Sequence, residues 1–142
     1  MFGFNRVSAR EIAVSGLKAQ RTRMNVIANN IANAQTTRTE DGGGAFRRQL
    51  TVLRGNPFRP IAGPHPKGVR VSQVKSDLSP LRQVFDPSHP DANAEGYVEY
   101  PNIDMAVEMV NLISAQRGYE ANLAVMTSGK RMSERALAII EV

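Results

Sequence analysis

Cysteine is absent from this sequence of 142 residues. Disulfides, thiolate metal sites and cysteine nucleophiles are excluded with it. Tryptophan is also missing, and aromatic residues make up only 6%. Hydrophobic residues reach 42%, so the chain is foldable, but its core should be aliphatic and thin. No stretch approaches the ~20 apolar residues of a membrane span. The first 30 residues alternate apolar and charged positions. They never reach the ~7–15-residue apolar run of a secretory signal, so no cleavable signal peptide is expected.

Proline is missing from both ends. All eight prolines lie between Pro57 and Pro101. Proline breaks helices, so the chain divides into two helix-permissive ends and a helix-hostile middle. The expected segments are 1–34, 35–101 and 102–142. The fold class is mainly α with a small β-rich insert, its two terminal helices long.

The first end follows a spacing of four and three through Ala13, Leu17, Gln20, Met24, Ile27, Ile31 and Ala34. Such a narrow seam packs against another helix. Ser8 with Glu11 makes a capping-box pattern. A helix over 8–34 is expected. The second end repeats the spacing through Met109, Leu112, Gln116, Tyr119, Leu123, Met126, Lys130, Ser133, Leu137 and Ile140. Asn102 or Asp104 can cap a helix over 104–141. Gly118 and Gly129 weaken it by about 1 kcal/mol each relative to Ala, so it needs partners.

The middle reads as Pro/Gly-rich loop with short strands. Phe46–Leu53, Val69–Val74, Leu81–Phe85 and Tyr97–Tyr100 are the strand candidates. Gly42, Gly43 and Gly44 form a flexible joint. The run Asn56–Pro66 holds four prolines and reads as an extended loop.

Catalytic chemistry is poorly represented. His65 and His89, the two histidines, both neighbour prolines. Asp86, His89 and Asp91 could offer a metal two carboxylates and an imidazole. Asp-Pro and His-Pro are turn formers, however, and adjacent rigid residues rarely converge on one ion. The glycine run lacks the Lys-Ser/Thr of a phosphate loop. No HExxH or GxSxG spacing occurs. No enzyme activity, cofactor or metal is expected.

The net charge is +5, and it is uneven. Residues 1–34 hold Arg6, Arg10, Lys18, Arg21 and Arg23 against one acid, Glu11. Such an arm suits nucleic acid, an anionic membrane, an acidic protein or plain solvent. Nucleic acid is disfavoured, because the bases are scattered and no aromatic interleaves with them after Phe4. Two seams joined by a strand-and-loop middle cannot close a bundle core within one chain. They are better satisfied between chains.

Residues 25–34 then stand out. Asn25, Asn29, Asn30 and Asn33 are poor helix formers crowded into nine residues. At a seam, Asn30 and Asn33 can hydrogen-bond across an interface and fix its register. The string Asn29-Asn30-Ile31-Ala32-Asn33-Ala34 resembles the signature of bacterial flagellar rod, hook and hook–filament junction proteins. Further strings resemble the proximal-rod members of that family: Gln35–Thr39, Gly43–Arg48, Asp86–Asn102, Glu108–Ile113 and Arg117–Asn122. Together they cover nearly the whole chain. Gln35, Ala45 and Gly118 depart from residues common in the family, where Asn, Pro, and Ala or Ser are usual. Gly118 is read as loosening the helix without touching a site.

The resemblance implies a structural subunit of the flagellar basal-body rod. It implies unprocessed export through the flagellar type III apparatus into the periplasm. The terminal helices would pack as a coiled coil in the rod core, with the middle segment facing outward. Neighbours would be other rod proteins, the adaptor joining rod to MS ring, and copies of the chain itself. No nucleic acid and no direct membrane insertion are implied. On this reading Leu17, Met24, Ile27 and Ile31 pack against Met109, Leu112, Tyr119, Leu123 and Met126 within and between subunits. Asn29, Asn30 and Asn33 set the register.

Overall fold

The computed structural model describes residues 9–40, 42–56 and 68–140. Phe4, Arg6, the expected cap Ser8, His65 and nearly all of the proline loop at 56–66 lie outside these residues, as does the side chain of Ile140.

Two helices and four short strands follow in the order α1 (Ala9–Ala32), β1 (Gln49–Gly55), β2 (Val69–Ser76), β3 (Arg82–Phe85), β4 (Tyr97–Tyr100) and α2 (Met105–Ile140). The helices hold 24 and 36 residues, or about 36 and 54 Å at ~1.5 Å per residue. Asp104 is the residue that caps α2. Its Oδ1 accepts the N–H groups of Ala106 at 2.9 Å and Val107 at 3.3 Å. Those donors have no carbonyl partner inside the helix. Asn102, the other capping candidate, is used elsewhere. α1 ends where the asparagines gather. Beyond it the Ala34 N–H turns to the Ile31 carbonyl, a tightened last turn.

The strands form two separate antiparallel hairpins, β1 with β2 and β3 with β4. A bulge lies between Val52 and Leu53. β1 begins at Gln49 rather than at the expected Phe46, because the preceding backbone is bonded elsewhere. The Phe46 N–H goes to the Thr36 carbonyl, and the Arg48 N–H goes to the Asn102 side chain at 3.0 Å. β2 runs on to Ser76 because Ser76 pairs with Gln49. Gly96 turns the β3–β4 hairpin with φ +83°, a left-handed conformation that a side chain would strain.

α1 and α2 pack side by side and antiparallel. Gly16 lies against Asn122, Gly118 against Gln20 and Asn30 against Glu108. The β1–β2 hairpin rests on α1. The β3–β4 hairpin touches neither helix through its strands. It is held by the loop after α1, where Thr37 and Arg38 both reach Asp91, at 2.8 and 3.0 Å.

The buried apolar residues among those described are few and small: Ala13, Ala19, Ile27, Ala45, Val98 and Ala115. The accessible surface is 10794 Å². A compact monomer of 15.6 kDa should expose about 7,200 Å². Large apolar side chains such as Leu78, Val110 and Ile139 are among what stays exposed.

Candidate assembly surface

The contact between the helices is built on small residues. Ala13, Gly16 and Ala19 of α1 are buried, and Ala115 of α2 meets no solvent. The approach is so close that a Cβ on Gly16 would fall 2.5 Å from Asn122 Oδ1, and one on Gly118 would fall 3.0 Å from Gln20 Nε2. Gly118 is therefore more than a weak point in the helix, contrary to the expectation from sequence. It is the recess that admits Gln20. The Gln20 Oε1 is buried there with no hydrogen-bond partner among the described residues.

Relative to the apolar seam counted from sequence, the buried stripe of α1 is displaced toward Gly16, Ala19 and Asn30. Ile27 is buried, while Leu17, Met24, Ile31 and Asn33 are half-buried and Asn29 is exposed. On α2, Leu112, Tyr119 and Met126 are half-buried, and Met109 and Leu123 are exposed. The displacement has a physical cause. Two helices meeting through glycine and alanine bring their backbones together, so bulkier neighbours are pushed to the flanks.

One polar cluster is enclosed where α1, β1 and the start of α2 meet. Glu108 is only 1% exposed. Its Oε2 accepts from Asn30 Nδ2 at 3.0 Å, and its Oε1 accepts from Arg48 Nε at 2.8 Å and Nη2 at 2.6 Å. Asn30 also treats Gln49 as a neighbouring strand would. Its Nδ2 donates to the Gln49 carbonyl at 2.9 Å, and its Oδ1 accepts the Gln49 N–H at 2.8 Å. Arg48 reaches on to Asp77 at 3.6 Å. A buried carboxylate is tolerated only with such company. The cluster ties together residues 30, 48, 77, 102 and 108. The bonds of Asn30 thus run inside the chain. Those of Asn33 do too, to the Asn29 carbonyl and Oδ1 at 2.9 and 3.0 Å. Counting apolar positions could not reveal Glu108 or Arg48, because their burial depends on each other.

α2 keeps large apolar residues exposed away from α1. Met105, Val107, Met109, Val110 and Ile113 are all exposed after α1 has packed, Val110 to 67%. Toward its end Met132, Leu137 and Ile139 are exposed to 72%, 62% and 78%. None of this makes a membrane span: among the described residues no helix is long and apolar enough to cross a bilayer.

The three candidate metal ligands point to separate local partners. Asp86 Oδ1 accepts from the Ser88 hydroxyl at 2.6 Å, His89 Nδ1 accepts the Asp91 N–H at 3.1 Å, and Asp91 pairs with Arg38 at 3.0 Å. Among the described residues no three His, Asp or Glu side chains gather as a metal site. Asp86 is held below its ordinary pKa, chiefly by the Ser88 hydroxyl, and Asp77 likewise by Ser79. Both are cases of a turn hydroxyl donating to the charged form.

Known proteins resemble this chain in sequence. Residues 11–38 match the family described as flagella basal body rod protein. Residues 94–139 match flagellar basal body rod FlgEFG protein C-terminal. The first match covers most of α1 and the loop after it, and the second covers β4 and nearly all of α2. Over 94% of its length the chain is 44% identical to the flagellar basal-body rod protein FlgC of Borreliella burgdorferi, of which 97% is covered. It is 42% identical to FlgC of Bacillus subtilis, covering 90% of the chain and 93% of that protein. For FlgC of Salmonella typhimurium the identity is 38%, covering 91% and 93%. Identity at this level along nearly the full length of both chains means that this protein belongs to the flagellar basal-body rod protein FlgC family.

Proposed function

We propose that the chain is a structural subunit of the proximal rod, polymerising through its terminal helices to build the drive shaft and export channel of the flagellum. The observation that carries this reading is the apolar surface of α2 that α1 leaves uncovered. Large apolar residues exposed together along a helix are covered in its working state. An aqueous, freely rotating monomer would be a poor setting for Met109, Val110 and Ile113.

In the assembled rod, segments 1–34 and 102–142 form the core as a coiled coil, and segment 35–101 with its Pro/Gly-rich loops faces outward. Leu17, Met24, Ile27 and Ile31 meet Met109, Leu112, Tyr119, Leu123 and Met126 within and between subunits. Asn30 and Asn33 fix the register inside each subunit, and the exposed Asn29 fixes it between subunits. Other rod proteins and further copies are the partners, with the adaptor to the MS ring at one end. The chain reaches the periplasm through the flagellar export apparatus without a cleaved signal. No catalytic role is assigned, in keeping with relatives that are structural rod proteins.

Ile31→Asp tests this. Ile31 is half-buried, so the subunit survives the change, but a carboxylate at an apolar contact between subunits is costly. The expected cells make the protein, build no complete rod and do not swim. Complete basal bodies and normal swimming would overturn the reading.

A further inference from the structure

Charge is divided between the two hairpins. The tract 42–76 contains no Asp or Glu but seven Lys and Arg, and the tract 83–104 contains five Asp and Glu but no Lys or Arg. Part of this charge is spent inside the chain. Arg48 pairs with Glu108 and Asp77, Arg38 pairs with Asp91, and Arg47 donates to the Ser79 carbonyl at 3.2 Å. Arg54 of β1 and Arg70 of β2 are not spent in this way. They lie directly opposite each other in the strand register, both are exposed, and no ion pair among the described residues engages either. Like charges directly opposite across a strand pair destabilise it. No other cross-strand pair among the described residues sets two charges of one sign together. A carboxylate from outside would turn that repulsion into two charge-assisted contacts.

The second hairpin presents the matching group. Glu99 of β4 is the only acid on the four described strands. It is exposed, and no ion pair among the described residues engages it. Val98 between them is fully buried, so Tyr97 and Glu99, two apart, share the outward face. Phe85 stands opposite Tyr97 with the rings edge to face at 5.3 Å, and both are exposed. A carboxylate beside aromatic rings suits a guanidinium, which can pair with the one and stack on the other. We infer that the β3–β4 face of one subunit receives Arg54 and Arg70 of a second copy, with Glu99 between the two guanidinium groups. This rests on the rod reading and names a contact between neighbouring subunits within it.

The chain's own Glu99 does not serve its own arginines. Glu99 borders a cleft with Arg47, just before β1. Arg54 and Arg70 sit at the other end of the β1–β2 hairpin, about 17 Å beyond Gln49 at ~3.4 Å per residue. The strands of the two hairpins do not touch each other. An anionic polymer or membrane would suit the arginines, but the Glu99 face would repel it. A second copy carries both signs, so one kind of partner satisfies both faces. The two patches are unlike, so the contact is heterologous. It leaves one free patch of each kind for the next copy instead of closing a two-fold dimer.

A linker of zero length tests the contact. The Arg54→Lys, Arg70→Lys double variant keeps both charges and supplies amines. A carbodiimide joins an amine to a carboxylate with no spacer, so it links only groups that touch. Basal bodies from cells carrying only this variant are treated, run on a denaturing gel, and their junctions read by mass spectrometry. The expected result is linked pairs and longer multimers, joined from position 54 or 70 to Glu99. Complete basal bodies without that junction, or with positions 54 and 70 joined instead to another rod protein, would overturn the inference and leave the rod reading standing. If the lysine variant builds no rod, charge reversal decides. R54E sets an acid opposite Arg70, so the free subunit should unfold at the same or a higher urea concentration while the cells stop swimming. E99R should also stop them, and R54E/E99R should regain swimming. Normal swimming of either single variant, a fall in the R54E urea midpoint, or loss without rescue would overturn the contact. Failure of the rod reading itself would appear separately, as basal bodies from unaltered cells that lack the chain.

Discussion

Gly16 is the place between the two helices where added bulk should cost the most. In an open helix, Gly→Ala stabilises by about 1 kcal/mol. At Gly16 the new Cβ would lie 2.5, 2.7 and 2.9 Å from the Oδ1, Cγ and Nδ2 of Asn122. The whole amide is in the way, and it is held by a 2.7 Å bond from Nδ2 to the Gly118 carbonyl. Overpacking of this kind costs about 1–3 kcal/mol, and releasing the amide adds about 1 more. The propensity gain offsets only part of this, so Gly16→Ala should destabilise by about 1–3 kcal/mol. Gly129, with nothing within 4 Å of its Cβ position, should give the full gain of about 1 kcal/mol on substitution by Ala. Gly118→Ala should fall between, because the amide end of Gln20, 3.0 Å away, can move. In an Asn122→Ala background, Gly16→Ala should change sign and become stabilising. Urea unfolding followed by circular dichroism measures all of these as shifts in midpoint. If Gly16→Ala and Gly129→Ala stabilise equally, α1 does not lie against α2 in this register.

The Glu108 cluster gives a second test. Glu108→Ala leaves Arg48 and Asn30 without their acceptor and should cost about 2–4 kcal/mol, toward the low side of a buried pair because Arg48 is partly exposed. The Glu108→Leu, Arg48→Met double variant should unfold at higher urea than either single one; a strictly additive loss would contradict the coupling. A third test concerns acid. Asp77 is held below its ordinary pKa, first by the Ser79 hydroxyl. A lowered value means that the folded state favours the charged form. Its contribution is present above the ordinary carboxylate range and is lost as pH falls below about 4. Ser79→Ala should raise the Asp77 value toward normal in an NMR carboxyl titration, and an unchanged value would refute the attribution.

Much of the secondary structure was legible because its signals are local. Proline confinement and three–four spacing marked both helices to within two residues at each end. Alternation marked all four strands, with β1 misjudged at its start because tertiary bonds from Thr36 and Asn102 claim its first backbone groups. The contact face was less legible. Hydrophobic spacing counts large residues, whereas α1 and α2 meet through Ala13, Gly16, Ala19 and Ala115, which carry little apolar signal. Gly118 was misread for the same reason. Asn30 was singled out as a register residue, but its partners Gln49 and Glu108 lie 19 and 78 residues away, beyond any local pattern. Arg54 and Arg70 lie well apart in the sequence. Only the strand register sets them opposite each other.

The most direct test of polymerisation through the terminal helices is a density map of purified basal bodies from the organism that makes this chain. The expected map contains repeated copies in the proximal rod, each with α1 antiparallel to a 36-residue α2, and the Met109, Val110 and Ile113 side of α2 covered by neighbouring subunits. A rod that lacks the chain, or one in which that side of α2 faces open solvent, would contradict it.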